Sequence, residues 1–467
     1  MSGCLDGGVP DYAIGGWTPP YGIEYAVDPL SAMVTLLVSF IAAMVVTGSG
    51  PSINDQVSAN KQTLFYATYL LCLAGLLGMT LTGDLFNVFV FLEISSLSSY
   101  ALIALGPTRR APLAALQYLI VGTIGATFFL IGIGLLYQMT GTLNMEDLSQ
   151  RLPVEEAPRT LLVALAMMSV GLAIKMAVFP VHTWLPAAYA ASPDSVTAFL
   201  AATSTKVSIY AFIRLVFTIF SGRFAFDMLP LDSELMFLAL LGVFVASVGA
   251  IFQTDLKRVL AYSSIAQVGY ILFGVSIGSV EGLAAAIAHM MHHGLIKGGL
   301  FMAIMAVVVG LRSRSSGTKN RLTTDASKRG ITDWTSIERF EGLGRTSPLL
   351  ALLIVLGLLG LIGVPLTAGF VSKWMLVSAA LQLGSPIGAA LVLIASLLAV
   401  AYSWRIVETM FFMPPSDTST DSVVGYRTPT VMFVCTAGLT LLPFVFGTYP
   451  LIARWSTIAA RQLLGAG

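Results

Sequence analysis

The sequence predicts an all-α polytopic membrane protein of about 12 transmembrane helices, with two broken helices in inverted-repeat halves. Three observations carry this: the composition, a series of long uncharged windows, and helix breakers inside two of them. Of 467 residues, 56% are apolar and 10% charged, against roughly 25% charged in an average soluble domain, and mean hydropathy is +0.84. That excludes a water-soluble fold and leaves room for roughly a dozen spans of about 20 residues, the length a hydrocarbon core about 30 Å thick demands. A net charge of +1 offers no field for nucleic acid. Cys4, Cys72 and Cys435 stand alone, which excludes a disulfide framework, a cysteine metal site and an iron–sulfur cluster.

Residues 1–28 are polar and acidic, without the basic and apolar regions of a cleaved secretory signal. One membrane domain, 29–451, follows, with windows at about 29–49, 62–83, 85–105, 112–139, 160–190, 195–220, 234–254, 258–279, 283–311, 347–383, 386–412 and 428–451. A polar, basic loop at 312–346 and a tail at 452–467 complete the chain. Windows 160–190 and 347–383 exceed one straight span and contain breakers, Pro180 and Pro186 in one, Gly363, Pro365 and Gly369 in the other. Non-helical backbone survives at membrane depth only where protein or a water-filled cavity satisfies its polar groups. Both breaks are therefore candidate sites, and their placement one per half is the trace of an internal repeat, at whose junction transporters place their path.

With the N-terminus outside, fourteen Lys and Arg fall on inward loops, eight of them from Arg312 to Arg345, and five on outward segments. This positive-inside asymmetry puts both termini outside and the 312–346 loop in the cytoplasm.

Six cations remain within spans: Lys175, Lys206, Arg214, Lys297, Lys373 and Arg405, accompanied by Glu93, Glu408, His289, His292 and His293. A charge at bilayer depth costs at least about 2.5 kcal/mol, so it is retained when it pairs, lines water or relays protons. Counting about 1.5 Å per helical residue places Glu93, Lys175, Lys206 and His293 near the midplane and Lys373 in the middle third. Arg214 and Arg405 fall near span ends, where long cations snorkel; Arg405 and Glu408, three apart, read as a local ion pair. His289, His293 and Lys297 recur every four residues on one helix face, with His292 beside them. A metal site is disfavoured, because no carboxylate sits among them, Lys297 would repel a cation and no H-E-x-x-H pattern is present. Buried structural histidines and a proton chain of imidazoles and lysine both remain, the chain being the preferred reading for His293. Glu93 needs a cationic partner, and Lys175 is the best candidate; opening that pair would let a proton move to Lys206. A purely structural interhelical pair is the alternative.

Four segments carry a family resemblance: Gly83-Asp84-Leu85-Phe86-Asn87 leading to Glu93, Lys175-Met176-Ala177-Val178-Phe179-Pro180-Val181-His182-Thr183-Trp184-Leu185-Pro186, Asp255-Leu256-Lys257-Arg258-Val259-Leu260-Ala261-Tyr262-Ser263-Ser264, and Gly363-Val364-Pro365-Leu366-Thr367-Ala368-Gly369-Phe370 before Lys373. From about Gly15 onward the chain resembles the antiporter-like subunits of respiratory complex I and of Mrp-type cation/proton antiporters, the Mrp D subunit above all. The Gly16-Trp17-Thr18-Pro19-Pro20-Tyr21-Gly22-Ile23 turn is D-like. The resemblance implies a proton relay of Glu93, Lys175, Lys206 and Lys373, with a histidine near His293 linking the halves; His289, His292, Lys297 and the breaks at Pro180 and Pro365 are added as supporting residues by their spacing and their place in the spans. It departs in two places. Relatives usually have fourteen spans, two of them before the Gly16-Trp17 turn, where about fifteen residues stand here; some carry histidine at Gln267.

The implied function is that of a proton-conducting subunit of a multisubunit sodium or potassium/proton antiporter in the inner (plasma) membrane, partnered by other subunits and lipid. The alternative is a proton-pumping membrane subunit of a complex I type NADH:quinone oxidoreductase or a membrane-bound hydrogenase. A scaffold that has lost transport fits poorly with the intact set of intramembrane Glu and Lys. No nucleotide, flavin or metal motif is present, so no cofactor is expected and redox chemistry would belong to partners.

Overall fold

The computed structural model describes residues 11–222, 224–229, 231–317, 334–414 and 428–465, with the side chains of 227, 228 and 314–317 set aside. A two-stranded antiparallel hairpin, β1 (Asp11–Ala13) with β2 (Glu24–Ala26), precedes nineteen α-helical segments among the described residues. They are α1 (Pro29–Gly48), α2 (Gly50–Gln56), α3 (Ala59–Leu81), α4 (Leu85–Ala104), α5 (Ala111–Thr140), α6 (Met145–Arg151), α7 (Arg159–Met176), α8 (Trp184–Ala191), α9 (Asp194–Ala202), α10 (Ser204–Ile213), α11 (Leu231–Ile251), α12 (Leu256–Ser276), α13 (Val280–Gly317), α14 (Leu343–Thr346), α15 (Pro348–Ile362), α16 (Ala368–Gln382), α17 (Pro386–Phe411), α18 (Thr430–Thr448) and α19 (Leu451–Leu463).

Eleven of the described segments are long and apolar enough to cross a membrane, or twelve when Ile337–Thr346 and Pro348–Ile362, bent by 120°, count as one. All twelve windows expected from the sequence have helical counterparts. The first break separates α7 from α8, and the second separates α15 from α16 at Gly363 to Thr367. A third break was not expected: Thr203, at φ −121° and ψ −57°, splits the span Asp194–Ile219 into α9 and α10. Its only local trace is the Thr203-Ser204-Thr205 cluster, whose hydroxyls compete with helical hydrogen bonds. Within the expected 312–346 loop, residues 318–333 lie outside the described set, as do Arg223 and Arg427.

Spans differ sharply in what surrounds them. Asp194–Ile219, Leu256–Ser276 and Val280–Ser313 are 94%, 94% and 89% buried by protein, whereas the others reach at most half. The inner three therefore carry Lys206, Gln267 and the His289 to Lys297 stripe into the molecule, and the outer spans leave Leu, Ile and Phe side chains exposed on the outer surface.

An internal repeat is visible in the capping. Asp84 accepts from Asn87 N at 2.7 Å to start α4, which is clasped by Leu85 N to Leu143 O and Met145 N to Gly83 O. Asp255 accepts from Arg258 N at 2.8 Å to start α12, clasped by Leu256 N to Thr335 O and Ile337 N to Thr254 O. These two helices are five crossings apart, so they run in opposite directions, as do the two broken spans.

Ion pairs mark the two faces. Asp28 caps α1 through a reciprocal exchange with Ser31 and pairs with Arg214 at 2.5 Å. On the opposite face Lys257 pairs with Asp194 at 2.6 Å and Arg312 with Asp55 at 2.9 Å. Two expectations need correcting there. Arg405 does not pair with Glu408; its Nη1 donates to the carbonyls of Ile251 and Gln253, both at 2.9 Å, because the planar guanidinium reaches the negative C-terminal end of α11. Lys257, one of the fourteen cations that the sequence assigns to inward loops, is instead buried in its pair on α12.

Burial, the largest single influence, would raise the Asp28 carboxyl, but the Arg214 guanidinium together with the hydrogen bonds from Ser31 outweighs it and holds the group below the usual carboxylate range. A depressed folded value means the contribution is present above the unfolded value of 3.8 and is lost as pH falls through the lower folded one. The melting-temperature gap between the wild type and Asp28→Asn is expected to stay level from neutral pH to about pH 5 and close only below about pH 4. Closure already at about pH 6 would show that the pair is not what stabilises this corner.

Candidate functional site

Lys175 ends α7, where Ala177 turns left-handed at φ 58° and Trp184 Nε1 donates to Ile174 O at 2.9 Å across the break. The ammonium donates to Ser96 Oγ at 2.6 Å and to Tyr100 Oη at 3.0 Å, and lies 5.4 and 5.6 Å from the ring centres of Tyr100 and Tyr118. Glu93 stands on the same face of α4, close enough to act electrostatically on Lys175. No hydrogen bond or ion pair joins them, and the buried Glu93 Oε1 has no protein partner. The two residues expected to pair are thus brought together in an open arrangement, with Ser96 and Tyr100 holding the lysine. Sequence reasoning missed both, although they follow Glu93 by three and seven residues, the spacing of one helix face.

The other lysines sit on backbone carbonyls. Lys206, fully buried, donates to Ala201 O at 2.5 Å and to Thr205 Oγ1 at 3.2 Å. Lys373 donates to Leu361 O at 3.2 Å and Ile362 O at 2.9 Å, beside Gly363 at φ 88°. These carbonyls end α9 and α15, where helical acceptors are left over and the helix dipole is negative. The breaks at Thr203 and around Pro365 thus supply cation seats without any carboxylate. Lys297 donates to Leu260 O at 2.7 Å and Ser263 Oγ at 2.5 Å on α12. Pro180 lies in the first break, at whose edge Lys175 stands.

Histidines bridge the halves. His289 joins Gln267 Oε1 through Nε2 at 2.7 Å and Ser372 Oγ through Nδ1 at 2.9 Å, tying α12 and α13 to the residue before Lys373. The His289 and His293 rings lie 6.5 Å apart and nearly parallel. Neither nitrogen of His293 has a protein partner, and Lys206, Lys297 and Lys373 all act on it electrostatically. His292 stands against the backbone at Ala368 without a hydrogen bond of normal geometry. No three His, Cys, Asp or Glu side chains converge as metal ligands among the described residues. The arrangement can hold protons at Lys175, Lys206, Lys297 and Lys373, with imidazoles between the second and the last.

Residues 82–399 match the family described as NADH:quinone oxidoreductase/Mrp antiporter, TM. The chain is 42% identical over 400 residues to the N subunit of the NADH-quinone oxidoreductase of Desulforudis audaxviator, an overlap of 86% of this chain and 75% of that protein. It is 31% identical to the D subunit of the Na(+)/H(+) antiporter of Bacillus subtilis, over 94% of this chain and 83% of that one. Among solved structures it is similar to a chain of the Mrp complex from Dietzia sp., with TM-score 0.86 and 26% identity over 99% and 89% of the two chains. A chain of the membrane-bound sulfane sulfur reductase, an archaeal respiratory membrane complex, gives TM-score 0.81 and 35% identity over 97% and 86%.

Proposed function

The chain belongs to the NADH:quinone oxidoreductase/Mrp antiporter membrane family, and from that premise we propose that it is the proton-conducting subunit of a multisubunit sodium/proton antiporter. One observation supports this most: four buried lysines, Lys175, Lys206, Lys297 and Lys373, occupy the interior with no carboxylate among the described residues bound to any of them. A charge kept inside a membrane without a paired counter-ion is a functional group by default. In the proposed cycle, Glu93 and Lys175 close as an ion pair and reopen. On opening, the Lys175 proton passes to Lys206, through His293 and His289, and on to Lys373. The positive-inside count supports an orientation with both termini outside, and the multisubunit complexes among the similar structures support a place beside other subunits, in the plasma membrane on this reading.

A second reading, a proton-pumping subunit of a redox complex, is favoured by the 42% identity to an oxidoreductase N subunit. The complete gene cluster, expressed in a sodium-sensitive host with Glu93→Ala or Lys175→Ala, tests the relay. Both variants are expected to lose salt growth and dye-reported antiport. Wild-type antiport in either would remove these residues from the path. Exchange in vesicles that requires an added electron donor would favour the redox reading.

A further inference from the structure

We propose that Tyr100, Ser96 and the ring of Tyr118 form a second station for the Lys175 ammonium, which makes the Glu93 and Lys175 switch bistable. This rests on the relay reading above. The ammonium stands apart from Glu93 but is not bare: two of its protons go to hydroxyl oxygens, and the Tyr118 ring centre lies 5.6 Å away. Such a seat compensates desolvation by cation–π and hydrogen-bond contacts, without the strong hold of a buried ion pair.

The walls of the station are built in. Tyr118 stacks on Trp184 with centroids 3.7 Å apart and planes 2° off parallel, and meets Tyr100 edge-on at 4.7 Å. Trp184 is itself anchored to Ile174 O, one residue from Lys175. Gly122 forms the floor: a methyl there would lie 2.1 Å from Tyr100 Oη and 3.2 Å from Lys175 Nζ. Among described groups facing the ammonium, Glu93 and Tyr100 come from α4 and Tyr118 from α5, and Glu93 is the charged one acting on it.

Tyr100→Phe keeps the ring and removes the acceptor, while Gly122→Ala keeps the tyrosine and displaces its hydroxyl. In the complete complex, proton transport by inverted vesicles is measured against pH for both. A hydrogen bond to a charged group lost from the open station is expected to cost each variant about a tenfold fall in rate and to move the alkaline limb about one unit toward lower pH. Two results would overturn the proposal: wild-type rate and profile in both variants, or a lower rate with the alkaline limb unmoved, which is a packing defect. Glu93→Ala in the same vesicles separates the premises, since wild-type transport there removes the relay reading whatever Tyr100 does.

Discussion

Lys257→Met is expected to destabilise the protein by about 3–5 kcal/mol, the cost of leaving one charge of a buried pair alone. Asp194 opens α9 and lies against Lys257 Nζ at 2.6 Å, with both residues under 5% exposed. The same ammonium donates to Ser192 O at 2.8 Å. Gln56 of α2 completes the cluster, its amide nitrogen donating to Asp194 Oδ2 and its oxygen accepting from Asp194 N at 2.9 Å. Methionine replaces the stem volume but not the charge, so the Asp194 carboxylate keeps only the amide. Thermal unfolding of the solubilised protein reads the loss. Combining Lys257→Met with Asp194→Asn removes both charges and should restore most of the lost stability. If the single variant melts with the wild type, the pair does not hold these three elements together.

Gly369→Ala is expected to reduce antiport about a hundredfold, the effect of a displacement of roughly 1 Å in a positioned site. A methyl at Gly369 would lie 1.9 Å from Gly360 O. That oxygen belongs to the backbone of α15, which cannot swing aside as a side chain does, so the α15 and α16 junction must open. The carbonyls of Leu361 and Ile362 that hold Lys373 belong to the same turn. Gly134→Ala is the control, because nothing lies within 4 Å of a methyl there. Equal transport by the two variants in vesicles with matched protein content would show that the seat of Lys373 does not depend on this junction.

Much of the architecture is legible before any coordinates. Transfer free energy is a property of each residue, so windows of Leu, Ile, Val and Phe locate the spans, and Gly363 and Pro365 announce a break because they act on their own backbone. The same reasoning isolates Glu93, Lys175, Lys206, Lys297 and Lys373 as charges that should not be there without a purpose. Partners are less legible. Arg405 has Glu408 one turn away and chooses carbonyls of another helix; Lys257 looks like a loop cation and lies buried against Asp194. The break at Thr203, without glycine or proline, depends on what surrounds α9 and α10 on all sides.

The sequence by itself determined that this chain crosses the membrane about twelve times, where two of its helices break, and which charges lie at depth. Only the tertiary structure decided what those charges touch: Lys175 on Ser96 and Tyr100 instead of Glu93, Lys206 and Lys373 on the carbonyl ends of broken helices, and His289 between Gln267 and Ser372. The reason is physical. Burial cost and backbone preference are local and additive along the chain, whereas a hydrogen bond at 2.6 to 3.0 Å requires two helices distant in sequence to pack at one register, and many registers satisfy the same hydropathy.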